Sequence, residues 1–161
     1  MQNITSDKYA LTNDDLKSFC NLNNIPYQLE TLQNLDKTDL TQAFVHTGEK
    51  KDEKNKGNTN HWLYLINNHI FDSYGDPKAF VYPSDIIPFP NKRYQKFGTN
   101  VCGPYVAAFC DFINTRPEDQ KWDPKEIISE FEDFFKLTNN HEANDESIQA
   151  WFNQRDKRPS K

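Results

Sequence analysis

The sequence predicts one domain in which helical segments at both ends of the chain flank a central run of β-strands. The chain has 161 residues, the length of one average domain, and its 14% aromatic content supplies material for a core. Apolar residues recur with helical spacing near both ends, whereas β-forming residues cluster between residues 39 and 75. The formal net charge of −5 argues against a broad basic surface that binds nucleic acid.

The first helix is predicted in the segment "LTNDDLKSFCNLNN". Thr12 and Asp15 have the spacing of a capping box, in which each side chain accepts a hydrogen bond from the other residue's backbone. Leu16, Phe19 and Cys20 then share one helix face, so we expect Cys20 to be a core residue rather than a reactive thiol.

The strands are predicted in the central part of the chain. Residues 39–47 carry β-forming side chains and favour a strand, whereas residues 48–60 contain no apolar side chain and are typical of a solvated, mobile loop. The clearest strand signal is in residues 61–75, where two β-rich runs flank Asn67 and Asn68. Asparagine tolerates positive φ, so this pair predicts a two-residue hairpin turn.

The segment between the strands and the next helix is predicted to be irregular. Residues 76–94 contain four prolines, which leaves room only for short strand pieces around residues 79–82. A helix is expected over residues 101–114, with Thr99 or Asn100 as its cap.

Two more helices complete the prediction. One begins at Pro124 and is capped by Asp123, and the other is predicted in "NDESIQAWFNQR". Residues 153–161 are expected to form a flexible basic tail, so that residues 1–161 make up a single domain.

The cysteine count and the apolar runs favour a soluble protein from a reducing compartment. Three cysteines without paired spacing do not form a disulfide framework, and the N-terminus lacks the apolar region of a signal peptide. No apolar run reaches the ~18 residues of a membrane span, so no membrane partner is expected. No metal or other cofactor is expected, because CxxC is absent and no ligand spacing relates the four histidines, which are His46, His61, His69 and His141.

The hairpin makes a geometric prediction about His61. With Asn67 and Asn68 as the turn, His61 and Asp72 lie on one face as diagonal neighbours, at a Cβ separation of roughly 7 Å. An imidazole and a carboxylate can close that gap. A surface histidine at a strand start is the alternative, and a different register would replace Asp72 by Asp76.

Cys102 lies directly before Gly-Pro at a predicted helix start. Unpaired backbone N–H groups and the helix dipole favour a thiolate there, and Gly103 leaves room for a substrate backbone. Gln95, seven residues earlier, could donate to an oxyanion beside the Cys102 N–H. The alternative for Cys102 is a small buried cysteine, a description that fits Cys110 well.

Taken in order, these motifs resemble the active-site series of the adenovirus-type cysteine proteases, which are relatives of the SUMO-specific proteases. The matching residues are His61-Trp62, Asp72, Gln95 and Cys102-Gly103. The context "AFVHT", a polar loop, "HW" and "FDSYG" is similar as well, and the step from Gln95 to Cys102 suits the adenovirus branch. The resemblance covers about residues 40–114.

The resemblance implies a role for each of these residues. Cys102 would be the nucleophile, His61 its base, Asp72 the acid that orients His61, and Gln95 a lining residue of the oxyanion hole. Trp62 would help to wall the groove that binds substrate. The implied fold is α+β and papain-like or adenain-like, with a mixed central sheet packed against helices and the nucleophile at a helix N-terminus.

The implied function is that of a viral maturation endopeptidase, most like those of virophages and related double-stranded DNA viruses. Such enzymes cleave capsid precursors after small residues such as glycine, so the virion and the host-cell cytoplasm are the implied locations, and we expect a monomer. The adenovirus enzyme uses a disulfide-linked peptide and DNA as activators. Here residues 75–95 contain no cysteine for that link, and the acidic balance argues against DNA.

Two other functions stay open. A deubiquitinase or deSUMOylase acting on host conjugates would need an extended surface to hold the modifier, and 161 residues leave little room for it. A catalytically inactive scaffold could bind capsid protein through the same groove, although the intact set of catalytic residue types argues against it.

Overall fold

The structure is a computed structural model that describes residues 8–37, 41–47, 61–76, 80–117 and 119–159. It has an α+β architecture, in which a mixed five-stranded sheet packs against helices. The predicted loop at 48–60 lies outside the described residues, as do residues 39 and 40 of the predicted first strand.

The described helices are α1 (Asn13–Leu22), a 3₁₀ helix (Leu32–Lys37), α2 (Cys102–Thr115), α3 (Pro124–Phe135) and α4 (His141–Arg155). The strands are β1 (Leu29–Thr31), β2 (Gln42–His46), β3 (Trp62–Ile66), β4 (His69–Phe71) and β5 (Ile87–Pro88). Within these described ranges, none of the helices is long and apolar enough to cross a bilayer.

The sheet has the order β1-β2-β3-β4-β5, with the longest ladder between β2 and β3. β1 is parallel to β2, β3 is antiparallel to both of its neighbours, and β5 is parallel to β4. Every residue of β3 is buried. Both faces of this central strand are therefore covered, and His61 is the residue directly before it.

The β3–β4 hairpin forms as predicted. Asn67 and Asn68 have φ values of 48° and 65°, the left-handed region that a tight hairpin turn requires. Ile66 pairs with His69, which confirms the predicted register. The next residues outward from this ladder place His61 and Asp72 on one face of the sheet.

The predicted capping of α1 and α3 is confirmed. Thr12 and Asp15 form a reciprocal capping box, and Asp123 accepts hydrogen bonds from the first backbone N–H groups of α3. Phe19 and Cys20 of α1 are buried as expected. These signals act over three residues, so no tertiary contact has to be known for them to be recognised.

Helix α2 packs through aromatic rings against the sheet on one side and against α3 on the other. The ring of Phe109 stacks on Phe71 of β4 with centroids 4.1 Å apart and meets Phe131 of α3 edge-on at 5.1 Å. Aromatic pairs of this kind stabilise a core beyond their buried area. The first turn of α2, which begins with Cys102, is thereby fixed relative to the hairpin.

The predicted cap of α2 is wrong. The N-cap residue is Val101, and among the described residues no side-chain hydrogen bond caps the helix. Thr99 is engaged elsewhere, because its hydroxyl donates to the Lys96 carbonyl oxygen at 2.7 Å and accepts from the Gln95 amide. The first turn of α2 therefore starts without a side-chain cap on its backbone N–H groups.

Two further boundaries differ from the prediction. The short strand lies at Ile87–Pro88, because the Ile87 N–H donates to Asn68 O at 2.8 Å and so adds this segment to the edge of β4. The described residues 80–82 form no strand. Proline is tolerated at such an edge. Helix α4 starts three residues earlier than expected, at His141, because Asn140 caps it.

The described part of the predicted basic tail contacts the rest of the domain, and its flexibility stays a prediction. Residues 153–155 complete α4. Beyond it, Arg158 forms ion pairs with Asp156 at 2.8 Å and with Asp15 of α1 at 3.4 Å, and its guanidinium lies over the Phe152 ring. Opposite charges and a nearby aromatic face hold this basic side chain against the domain.

Candidate active site

The predicted base and acid are in direct contact. His61 precedes β3, Asp72 follows β4, and His61 Nε2 lies 2.8 Å from Asp72 Oδ1. Both residues are buried, at 6% and 5% exposure. The predicted closeness of the two side chains is confirmed, and Asp76, the alternative acid, lies on the exposed surface instead.

The imidazole of His61 also lies close to Cys102, the first residue of α2, so that each group shifts the pKa of the other. Burial alone would lower the pKa of His61, but the negative charge of Cys102 and the hydrogen bond to Asp72 raise it above its usual value. Burial would also raise the pKa of Cys102, yet the charge and hydrogen bond of His61 bring it below the usual thiol range. The pair therefore favours a thiolate beside an imidazolium.

Backbone groups add to this stabilisation of the thiolate. The backbone N–H groups of Trp62 and Gly103 favour the charged form of Cys102 and lower its pKa further. Gly103 belongs to the uncapped first turn of α2, where the helix dipole also favours negative charge. Cys102 stays partly accessible, whereas Cys20 and Cys110 are buried.

The imidazole of His61 is held on its ring faces and through its backbone. The rings of Tyr74 and Phe80 stack against it at centroid distances of 5.1 and 5.7 Å. The His61 N–H donates to Thr47 Oγ1 at 3.1 Å, and the Tyr74 N–H donates to Asp72 Oδ1 at 2.9 Å. These contacts limit rotation of the base and fix the orientation of its acid.

Gln95 is fully buried and held at both ends of its amide. Its Oε1 accepts from Ser73 Oγ at 2.5 Å, and its Nε2 donates to Thr99 O and Oγ1 at 3.0 and 3.1 Å. Donation to an oxyanion would take one N–H away from these Thr99 oxygens. The predicted oxyanion role therefore stays a prediction, and the structure adds Ser73 as the residue that fixes the amide orientation.

Trp62 and Gly103 both contact Leu11, just before α1. Trp62 is 1% exposed, and its indole N–H donates to Leu11 O at 2.8 Å. A Cβ on Gly103 would lie 2.8 Å from Leu11 Cγ, so close packing requires glycine here. Their predicted contacts with substrate stay predictions, since the contacts in the structure are internal.

Sequence reasoning missed several residues around the site. Ser73 follows Asp72 directly, and strand alternation puts its side chain on the face of the sheet opposite to Asp72. Its partner Gln95 lies 22 residues away, so their hydrogen bond could not be predicted from spacing. Phe80 reaches His61 from the proline-rich segment, and Asp145 reaches the segment after Gln95 from α4. No periodicity in the sequence relates these positions.

The four histidines lie in separate environments. His46 packs on Trp62, His69 contacts Phe89 and Trp122, and the Arg93 guanidinium donates to His141 Nδ1 at 3.0 Å. In the part of the chain that the structure describes, no group of three or more His, Cys, Asp or Glu side chains is arranged to hold a metal ion.

Comparison of the chain with protein-family models, with curated proteins and with solved structures finds no match.

Proposed function

We propose that the protein is a cysteine endopeptidase, with Cys102 as nucleophile, His61 as general base and acid, and Asp72 as the residue that orients His61. The observation that carries this proposal is the continuous contact from Asp72 through His61 to a partly accessible cysteine at a helix start. A nucleophile, a base and an orienting group in such contact are the requirements of acyl transfer.

The mechanism follows from the partner that each ring nitrogen of His61 has. Asp72 binds Nε2, so Nδ1 serves Cys102 and the leaving group. The thiolate attacks the substrate carbonyl carbon, and His61 transfers its Nδ1 proton to the amine as the C–N bond breaks. Water then attacks the thioester while His61 accepts its proton, which releases the acid and restores the thiolate.

The negative oxygen of each tetrahedral intermediate needs hydrogen-bond donors. The backbone N–H of Cys102 is at the uncapped start of α2, and the Gln95 amide precedes it by seven residues in a buried, hydrogen-bonded position. Two such donors constitute an oxyanion hole. Asp72 meanwhile stabilises the imidazolium, which bears the proton that the leaving amine requires.

The finer proposal concerns the fold family and the substrate. A helix that begins with the nucleophile and packs on a mixed sheet bearing the base and acid supports a papain-like, adenain-like fold. The sequence order of base, acid, glutamine and cysteine resembles that of adenovirus-type proteases. We therefore propose viral capsid precursors as substrates, cleaved after small residues such as glycine, in the virion and the host-cell cytoplasm.

Peptide-bond cleavage can be tested without knowledge of the substrate. The protein is incubated with a proteome-derived peptide library, and new termini are sequenced by mass spectrometry, with Cys102→Ala as the matched control. We expect new termini after small residues that are absent with the variant. The same termini with both proteins, or none with either, would overturn the assignment.

The substrate class needs a second comparison. Capsid precursors from double-stranded DNA viruses and ubiquitin-like fusion proteins are offered at equal concentration. We expect faster cleavage of the precursors. Preferential cleavage of the fusions would retain the peptidase and replace the proposed substrate.

A further inference from the structure

A buried carboxylate outside the catalytic contacts connects two parts of the site. Asp145 of α4 is 6% exposed. Its Oδ1 accepts from the Tyr105 hydroxyl at 2.8 Å, and its Oδ2 accepts from the Lys96 backbone N–H at 3.3 Å. Burial of a carboxylate is costly unless its oxygens are paired, and here each oxygen has a partner from a different element.

These two partners adjoin the proposed oxyanion donors. Tyr105 lies three residues after Cys102, so both belong to the first turn of α2 and to one side of the helix. Lys96 directly follows Gln95 in the chain. Asp145 therefore links the segment that carries the Gln95 amide to the helix turn that carries the Cys102 N–H.

The neighbouring residue strengthens this connection. Asn144 Nδ2 donates to Tyr94 O at 3.2 Å and to Thr138 O at 2.8 Å, while Asn144 Oδ1 accepts from the Thr138 N–H at 2.8 Å. On the opposite side, the Tyr94 N–H donates to Ser73 O at 2.8 Å. The segment around Gln95 is thus held between the hairpin and α4.

We propose that Asp145 is a positioning residue for the oxyanion hole: by binding Lys96 and Tyr105 together, it sets the separation between the Gln95 amide and the N-terminus of α2. This inference rests on the proposed peptidase function. Among the described residues, the hydrogen-bond partners of Asp145 lie outside the triad, so it acts on the transition-state oxyanion and not on the ionisation of Cys102. Misplacement of a donor by a fraction of an ångström to 1 Å is enough to lower the rate of the chemical step.

The test compares Asp145→Asn with Asp111→Asn. Asp111 is a partly buried carboxylate on α2, far along the helix from Cys102, and burial raises the pKa of Asp111 as it does that of Asp145. We expect Asp145→Asn to lower kcat by about 10- to 100-fold with little change in KM, and Asp111→Asn to leave both unchanged. The pH profile of Cys102 alkylation should be the same in all three proteins.

A double-mutant cycle separates positioning from a general loss of structure. In a Gln95→Ala background the donor is absent, so Asp145→Asn should reduce kcat by much less than it does alone. If Asp145→Asn does not fold, Tyr105→Phe replaces it in the cycle, because it removes one of the two contacts of Asp145. The fall in kcat caused by Tyr105→Phe should likewise be smaller in the Gln95→Ala background. Equal losses in both backgrounds would overturn the positioning role.

A measurement that does not depend on activity completes the design. Amide hydrogen exchange at Lys96 should be faster in Asp145→Asn than in the wild type or in Asp111→Asn, because its acceptor is weakened. Unchanged exchange, or normal kcat in a folded Asp145→Asn variant, would overturn the positioning role alone. A wild-type protein that cleaves no peptide would overturn the proposed function.

Discussion

Cys102 and Cys110 lie on the same helix, eight residues apart, and their surroundings differ at almost every point. Cys102 begins α2, is partly accessible and faces an imidazole. Cys110 is fully buried, and its Sγ accepts from the Asn114 amide at 3.3 Å. Burial raises the pKa of Cys110 to about 12, whereas the pKa of Cys102 is below its usual value.

Burial acts in the same direction on both thiols, so it does not explain the difference. What distinguishes Cys102 is the positive charge of His61 together with the backbone donors at the helix start. Cys20 supports this interpretation, because it has no such partner and burial raises its pKa to about 12 as well. A reactive thiol in this protein therefore depends on the hairpin that supplies His61.

The largest effect is expected when the nucleophile is removed. Cys102→Ala should abolish peptide cleavage, because no other thiol faces His61. Cys110→Ala is the matched control: it should keep the activity and lower the free energy of unfolding by about 1 kcal/mol, since it leaves a small cavity in the core. Product formation and urea unfolding measure the two outcomes, and residual cleavage by Cys102→Ala would contradict the assignment.

The second prediction concerns thiol reactivity across pH. With a pKa of about 12, roughly 10⁻⁵ of Cys110 is ionised at pH 7, whereas the lowered pKa of Cys102 gives it a larger thiolate fraction. Iodoacetamide at pH 7 should therefore modify Cys102 and spare Cys110. Because the pKa of Cys102 is lowered, its reactivity should persist below the usual thiol range and disappear only as the pH falls through that lowered value. Mass spectrometry of the labelled peptides measures both sites, and equal labelling in the folded protein would refute the comparison.

A smaller but still large effect is expected from Asp72→Asn. The change keeps the shape of the side chain and removes the charge that stabilises the imidazolium, so kcat should fall by roughly 10²- to 10⁴-fold. Alkylation of Cys102 near neutral pH should also slow, which brings its behaviour closer to that of Cys110.

Asp76→Asn is the control for Asp72, because Asp76 lies on the surface four residues further along the chain. It should have little effect on kcat or on alkylation. If Asp76→Asn were the damaging change and Asp72→Asn nearly silent, the acid would be misassigned.

The smallest of these catalytic effects is expected for Gln95→Ala, with a loss of about 10²-fold in kcat and little change in KM. Ser73→Ala should reproduce part of this loss, because the Gln95 carbonyl oxygen then lacks its donor. Thiol alkylation should be unaffected in both variants. Weaker substrate binding with normal turnover would instead show that Gln95 has a binding or structural role.

The sequence was sufficient for features that depend on local chemistry. The Asn67-Asn68 turn determines the hairpin register, and the register brings His61 to Asp72, so this contact could be derived by alternation alone. The capping box of α1 and the Asp123 cap of α3 are equally local. The α+β architecture followed from the resemblance, and the mixed sheet agrees with it.

The remaining features depend on contacts between distant segments. Thr99 looked like a helix cap, but Gln95 and Lys96 use its hydrogen-bonding groups. Phe80 stacks on His61 although the proline-rich sequence around it carries no regular pattern. Asp145 reaches Lys96 across 49 residues. A tight turn shows that two successive strands pair, but sequence patterns otherwise report on periodicity within an element and do not show which distant elements meet.

The hairpin also has a consequence for the order in which the site comes apart. The His61–Asp72 contact closes a loop of 11 residues, whereas the contact between His61 and Cys102 closes one of about forty, which costs roughly 1 kcal/mol more in chain entropy. Under mild denaturing conditions we expect α2 to detach from the hairpin first, while the base and its acid remain paired. The thiol would then regain an ordinary pKa, so alkylation of Cys102 at pH 7 should slow in low urea before the global unfolding transition. Unchanged alkylation up to that transition would show that the site separates as one cooperative unit.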